Sequence, residues 1–218
     1  VFNDNGFGTR GDMKAVVKAI LLDPEARGDA KTDPNYGKLR EPVQLMTNFA
    51  RAFNVRSADG LGLSDGNFVR GRAELNNMAQ VPFVSPTVFN FYPPGYIIPG
   101  TSLNGPEFAI MNTGTSIARA NFFNRMVFTA PTYSVSLPDS PNGTSFDFSD
   151  LQALIAADPT NNLLLDELNN RMLHGTMTAQ NRTTLQTAID SITVSNPPTA
   201  TQTRDRVRQA VYLIATSS

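Results

Sequence analysis

Five carboxylates and four arginines are the side chains in this sequence best suited to chemistry. The acids are Asp12, Asp23, Glu25, Glu41 and Glu107; the bases are Arg10, Arg27, Arg40 and Arg119. Two carboxylates facing one another across a sugar would make a glycoside hydrolase, one protonated and one ionised. Asp12, Glu41 and Glu107, with Arg40 or Arg119 beside them, are the candidates for such a site. The same residues also have structural uses. Asp12 suits a helix N-cap, Asp23 stands beside a helix end, and Glu41 and Glu107 flank Pro42 and Pro106 in first turns. Arginine pairs with carboxylates through a planar fork, so a network of ion pairs pinning the loops is the other expectation.

Other catalytic constellations find little support. His174 is the single histidine and lies in Met172-Leu173-His174-Gly175, where a helix should end. A histidine there can meet terminal carbonyls and the helix dipole. With no second histidine and no cysteine, the ligand pairs and thiolates of zinc and redox sites are missing from this sequence, and disulfides are excluded. No Gly-x-Ser-x-Gly elbow and no phosphate-binding Gly-x-x-x-x-Gly-Lys-Ser/Thr loop occurs. Asp59, Asp65 and Asn67, or Asp139, Asn142 and Asp147, could gather around calcium, but neither set has EF-hand spacing and both read as solvated turns. No cofactor and no metal is expected. Asn142-Gly143-Thr144 and Asn181-Arg182-Thr183 match glycosylation sequons.

A ligand platform is the remaining option. Residues 79–105 form a proline- and aromatic-rich run around Val81-Pro82-Phe83-Val84-Ser85-Pro86 and Phe89-Asn90-Phe91-Tyr92-Pro93-Pro94-Gly95-Tyr96. Its prolines exclude a regular helix or a central strand, so an ordered irregular loop is expected. Phe89, Tyr92 and Tyr96 are candidates to bind a carbohydrate or peptide. The preferred expectation is that these rings, with Phe83 and Phe91, plug a groove between helices, because large aromatics are usually buried.

The elements around these residues read as helices. Gly11 to Asp23 carries Val16, Val17, Ala19, Ile20 and Leu21 on a broad apolar face, with Asp12 as N-cap. Glu41 to Asn54 repeats Val43, Met46, Phe49, Ala50 and Phe53 at helical spacing. A short helix is expected over Arg72 to Met78, and the longest over Pro106 to Phe128. Ser149–Gln152 and Thr199–Gln202 match capping boxes. Leu163, Leu164, Leu168 and Met172 mark a helix ending at Gly175. Leu185, Ile189 and Ile192 mark another, and Val207, Ala210, Val211 and Ile214 a third. The expected fold is all-α: one irregular multi-helix domain over residues 1–218, with long ordered loops. Tyr133 to Leu137 alternates and could add one minor β-hairpin or edge strand.

Composition narrows the role. Hydrophobic residues make up 40% of the 218, enough for a core, but charged residues only 17%, with a net charge of −1. No basic stripe offers itself to phosphates, so nucleic acid is not an expected partner. No apolar run is long enough to span a bilayer. No secretory leader is visible at Val1-Phe2-Asn3-Asp4. A weakly charged surface rich in Asn, Thr and Ser fits an extracellular or envelope protein.

Six blocks carry a family resemblance: Gly8-Thr9-Arg10-Gly11-Asp12, Ala19-Ile20-Leu21-Leu22-Asp23-Pro24-Glu25-Ala26-Arg27, Lys38-Leu39-Arg40-Glu41-Pro42-Val43, Pro86-Thr87-Val88-Phe89-Asn90-Phe91-Tyr92, Pro106-Glu107-Phe108, and Arg206-Val207-Arg208-Gln209-Ala210-Val211-Tyr212. In order and spacing the chain resembles the C-terminal part of the bacterial family called "domain of unknown function 1800". The resemblance implies export. Family members are longer, so the chain is expected to be part of a secreted protein whose N-terminal helical portion packs against it. The resemblance supplies no established reaction. The expected role is a non-enzymatic extracellular or envelope component that binds or assembles, with itself or an envelope partner. The alternative is a hydrolase of an extracellular polymer acting through paired carboxylates.

Overall fold

A computed structural model describes residues 1–28, 39–53, 55–57, 71–128 and 144–217. The expected strand at 133–137, the glycine-rich loop around 60–66 and the sequon at Asn142 lie outside these residues. The chain divides into two compact units, Val1–Lys38 and Leu39–Ser218.

The first unit is a short loop leading into helix α1 (Met13–Leu21), followed by the single turn α2 (Pro24–Arg27). Asp4 Oδ1 accepts the backbone N–H groups of Gly6 and Gly8, at 2.8 and 2.9 Å. Asn5 Oδ1 does the same for Phe7 and Thr9. These bonds fold the loop back until Asp12 caps α1. The α1 residues with apolar side chains are where the 3.6-residue period puts them, yet none is buried. Val17, Ile20 and Leu21 are each about half exposed or more.

The second unit holds the core. Its helices are α3 (Pro42–Ala52), α4 (Gly71–Asn77), α5 (Thr113–Phe128), α6 (Ser149–Ala157), α7 (Asn162–Leu173), α8 (Ala179–Asp190) and α9 (Ala200–Ser217). Helix α9 packs against α5, α6, α7 and α8 through Val207, Ala210, Val211 and Ile214, all fully buried. Phe49 of α3 is equally buried, and its ring meets Phe53, Phe122, Phe123 and Phe146 at centroid distances of 4.8 to 6.1 Å. Aromatic edges meeting faces at such distances add to the area buried.

The helix ends follow local chemistry. Thr199 and Gln202 form the reciprocal capping box: Gln202 N donates to Thr199 Oγ1, and Thr199 N donates to Gln202 Oε1. Thr178 caps α8 through Asn181 N. His174 closes α7 in the left-handed conformation, with Gly175 after it at φ +82°. Its backbone makes the cap, and the imidazole stands exposed.

Two expectations are corrected. Pro106 to Phe128 is not one helix. Pro106–Ile110 forms a 3-10 turn, and α5 starts only at Thr113, which leaves the eighteen-residue α9 longer than the sixteen-residue α5. Asn112 and Thr115 cause the break: Asn112 Oδ1 accepts Thr115 N at 3.0 Å while Thr115 Oγ1 accepts Asn112 N at 2.9 Å. The box expected at Ser149 does not form; Asp147 Oδ1 instead accepts Ser149 N. Among the described residues there is one two-stranded ladder. It pairs Arg56–Ser57 (β1) with Thr144–Ser145 (β2), antiparallel and distant in sequence.

Candidate functional site

Helix α3 begins without a side-chain cap of its own. Glu41 occupies the N-cap position but makes no capping bond. The orphan N–H of Val43 is met from a distance by Gln80 Oε1, at 2.9 Å. Gln80 follows α4 at a sharp bend where Ala79 takes φ 62°, and it is 2% exposed. Its amide nitrogen donates to Glu41 Oε2 at 2.7 Å and to the Tyr92 hydroxyl at 2.8 Å. One buried carboxamide thus ties together α3, the end of α4 and the proline–aromatic segment. A buried amide whose donors and acceptor are all used is a strong local constraint.

Tyr92 completes the cluster. Burial pushes its phenol above the ordinary 10.0, and the hydrogen bond and negative charge of Glu41 push it further, while Arg119 and Gln80 act the other way. It is therefore held protonated. Arg119 of α5 sits near enough to feel Tyr92; desolvation lowers its pKa. Its Nε and Nη2 have no hydrogen-bond partner.

Of the candidate residues, the structure brings Glu41, Tyr92 and Arg119 together. Arg40 is half-buried with Nη1 unpartnered. Glu107 lies exposed on the 3-10 turn. Asp12 is a cap in the first unit: Oδ1 accepts Ala15 N at 3.1 Å and Oδ2 accepts the Asn5 amide at 2.8 Å. Those bonds hold its carboxyl below the usual range, Asn5 contributing most. Tyr96 is half-buried, and its carbonyl accepts Gly105 N. Among the described residues, no three His, Cys, Asp or Glu side chains gather.

Two further expectations hold only in part or differ from the structure here. Among the described residues, no ion pair joins Arg10, Arg27, Arg40 or Arg119 to Asp12, Glu41 or Glu107. Arg27 Nε donates to the Leu21 carbonyl and Arg10 lies over the Phe2 ring. Among the described residues, ion pairs join Arg125 with Glu74, Arg171 with Asp150 and Glu167, Arg182 with Asp166, and Arg204 with Asp205. The rings of residues 79–105 are not all buried: Phe91, Tyr92 and Tyr96 are half-buried, but two others are not. Phe83 is fully exposed and Phe89 is 60% exposed. The left-handed backbone at Phe83 (φ 64°) and Asn90 (φ 64°) turns this part of the chain outward. Gln80 is the member that sequence reading missed. An isolated glutamine has no motif; the one hint is that Glu41-Pro42 opens a helix with no capping side chain of its own.

The family comparison agrees with the sequence blocks: the model described as "protein of unknown function (DUF1800)" matches residues 1–218. The chain belongs to the DUF1800 family. Neither a curated protein nor a solved structure matches this DUF1800 chain. Among its described residues no helix is long and apolar enough to cross a membrane.

Proposed function

We propose that this DUF1800 chain is a non-enzymatic binding or structural component of the bacterial envelope or extracellular space. It acts by associating with a second copy or an envelope partner. The observation that supports this best is the run from Leu75 to Pro106, which contains no charged residue. Within it Phe83, Val84, Val88, Phe89, Ile97 and Leu103 are all more than half exposed. Apolar groups in such numbers on one segment favour a contact surface. Non-glycine residues at positive φ cost of order 1 kcal/mol each, so holding Phe83 outward has an energetic cost that a binding role explains.

Glu41 fits this reading as well. Its carboxylate is occupied by Gln80 and Tyr92, which suits an anchor for the segment. A hydrolase would need Glu41 to face a second acid across substrate. Size-exclusion chromatography with light scattering, run over a range of concentrations, tests the proposal. The 218-residue chain is expected to self-associate or to retain an envelope protein, and Phe83→Ser with Phe89→Ser to abolish this without loss of helical circular dichroism. A chain that stays monomeric, retains nothing, and hydrolyses a polymer in a Glu41-dependent way would overturn it.

A further inference from the structure

Helix α5 carries a second polar surface. Ile117, Asn121 and Arg125 recur every four residues, so they form one stripe along the helix. With Asn77 at the end of α4 and Asn112 at the start of α5, they wall an open cleft of about 400 Å³. This falls within the size range of small-molecule sites. Asn77, Asn112 and Asn121 are all exposed to solvent. Asn112 spends its oxygen on Thr115 N and keeps its amide donors. The cleft therefore offers three carboxamides, each with hydrogen-bonding capacity left.

The charge of the wall is balanced. Among the described lining residues Arg125 is the one that is charged, and its Nη2 is paired with Glu74, which is 2% exposed. An anion would find a guanidinium already neutralised. A cation would find no carboxylate among the described lining residues. An apolar ligand would strip water from three amides without replacing their bonds. Hydroxyl groups satisfy carboxamides as both donors and acceptors, and Ile117 and Ala118 supply apolar surface for the C–H face of a ring. The geometry points to a binding site for a neutral, hydroxyl-rich ligand, a short saccharide, held by Asn77, Asn112 and Asn121. This deepens the non-enzymatic binding reading by giving it a ligand class, at a place distinct from the exposed rings.

The test is nuclear magnetic resonance on the ¹⁵N-labelled 218-residue chain. Maltotriose, cellotriose and triacetylchitotriose are titrated in turn, with acetate and phosphate as charged controls. At least one sugar is expected to shift the side-chain amide signals of Asn77, Asn112 and Asn121 in a saturable way. Asn121→Ala should weaken that sugar's binding about five- to tenfold, the effect of losing one or two neutral hydrogen bonds. Asn77 and Asn121 lie on the surface, and circular dichroism of each alanine variant verifies the fold. The inference is overturned if no sugar moves these signals, if acetate or phosphate moves them and sugars do not, or if Asn77→Ala with Asn121→Ala leaves binding unchanged. New reducing ends in the sugar samples would uphold the cleft but defeat the non-enzymatic reading. Silent amides in a chain that still associates through Phe83 would defeat the cleft alone.

Discussion

Tyr92 is the residue whose ionisation reports on the polar cluster. Its folded-state pKa is raised above 10.0, by burial first and by Glu41 second. A group raised in this way stabilises the fold in full below its unfolded pKa, and the contribution is lost as pH rises through the folded value. Unfolding free energy is therefore expected to fall above about pH 10. Tyr92→Phe should flatten that fall, because its ring has no proton to lose. Denaturant melts of both proteins between pH 8 and about 11 check this. A wild-type slope matched by the variant would show that other groups carry the alkaline dependence. The sequence marks Glu41, Tyr92 and Arg119 as residues of interest, since each is a plausible binder or acid. It does not mark Gln80, because what makes Gln80 matter is burial between three elements distant in sequence.

At the scale of elements, several helix ends were legible from residues close in sequence. Thr199–Gln202, Asp12 with Ala15, and the Gly175 terminus of α7 are of this kind. The start of α5 obeys the same rule in a less familiar spelling. Asn112-Thr113-Gly114-Thr115 is a reciprocal cap with threonine where glutamate usually stands, and reading through it merges the 3-10 turn with the helix. Thr115 is buried, and its hydroxyl also donates to the Ile110 carbonyl at 2.7 Å. Thr115→Val keeps the shape and removes these bonds. It is expected to cost about 1–3 kcal/mol, since a buried carbonyl and an N–H lose their partner. Urea unfolding measures that loss; a value near zero would mean that the turn and helix hold their junction without the hydroxyl.

For the whole molecule, the core of the Leu39–Ser218 unit was the most readable feature. Met46, Phe49 and Phe53 stand at 3,4 spacing on α3, and all are buried. Phe49→Ala removes a ring that touches four others and should cost about 3–5 kcal/mol. A thermal or denaturant melt would register it, and a loss below 1 kcal/mol would mean that the aromatic cluster closes over the gap. Periodicity was less informative about which apolar faces would be covered. The α1 stripe has the right spacing yet is exposed, and Phe83 and Phe89 have the right chemistry for a core yet stand outside it. Hydrophobic pattern reports what must avoid water somewhere; it does not name the surface that does the covering.

The charge-free run also governs how this molecule can be mapped by digestion. Between Arg72 and Arg119 there is no lysine or arginine, so trypsin releases residues 73–119 as a single peptide. Gln80, Tyr92, Arg119, both exposed phenylalanines and the cleft residues Asn77 and Asn112 travel together in it. Tryptic footprinting would register changes at all of these residues at one address. Chymotrypsin, cutting at the exposed Phe83 and Phe89, separates them, and protection of those two bonds becomes a direct readout of whether the rings are covered.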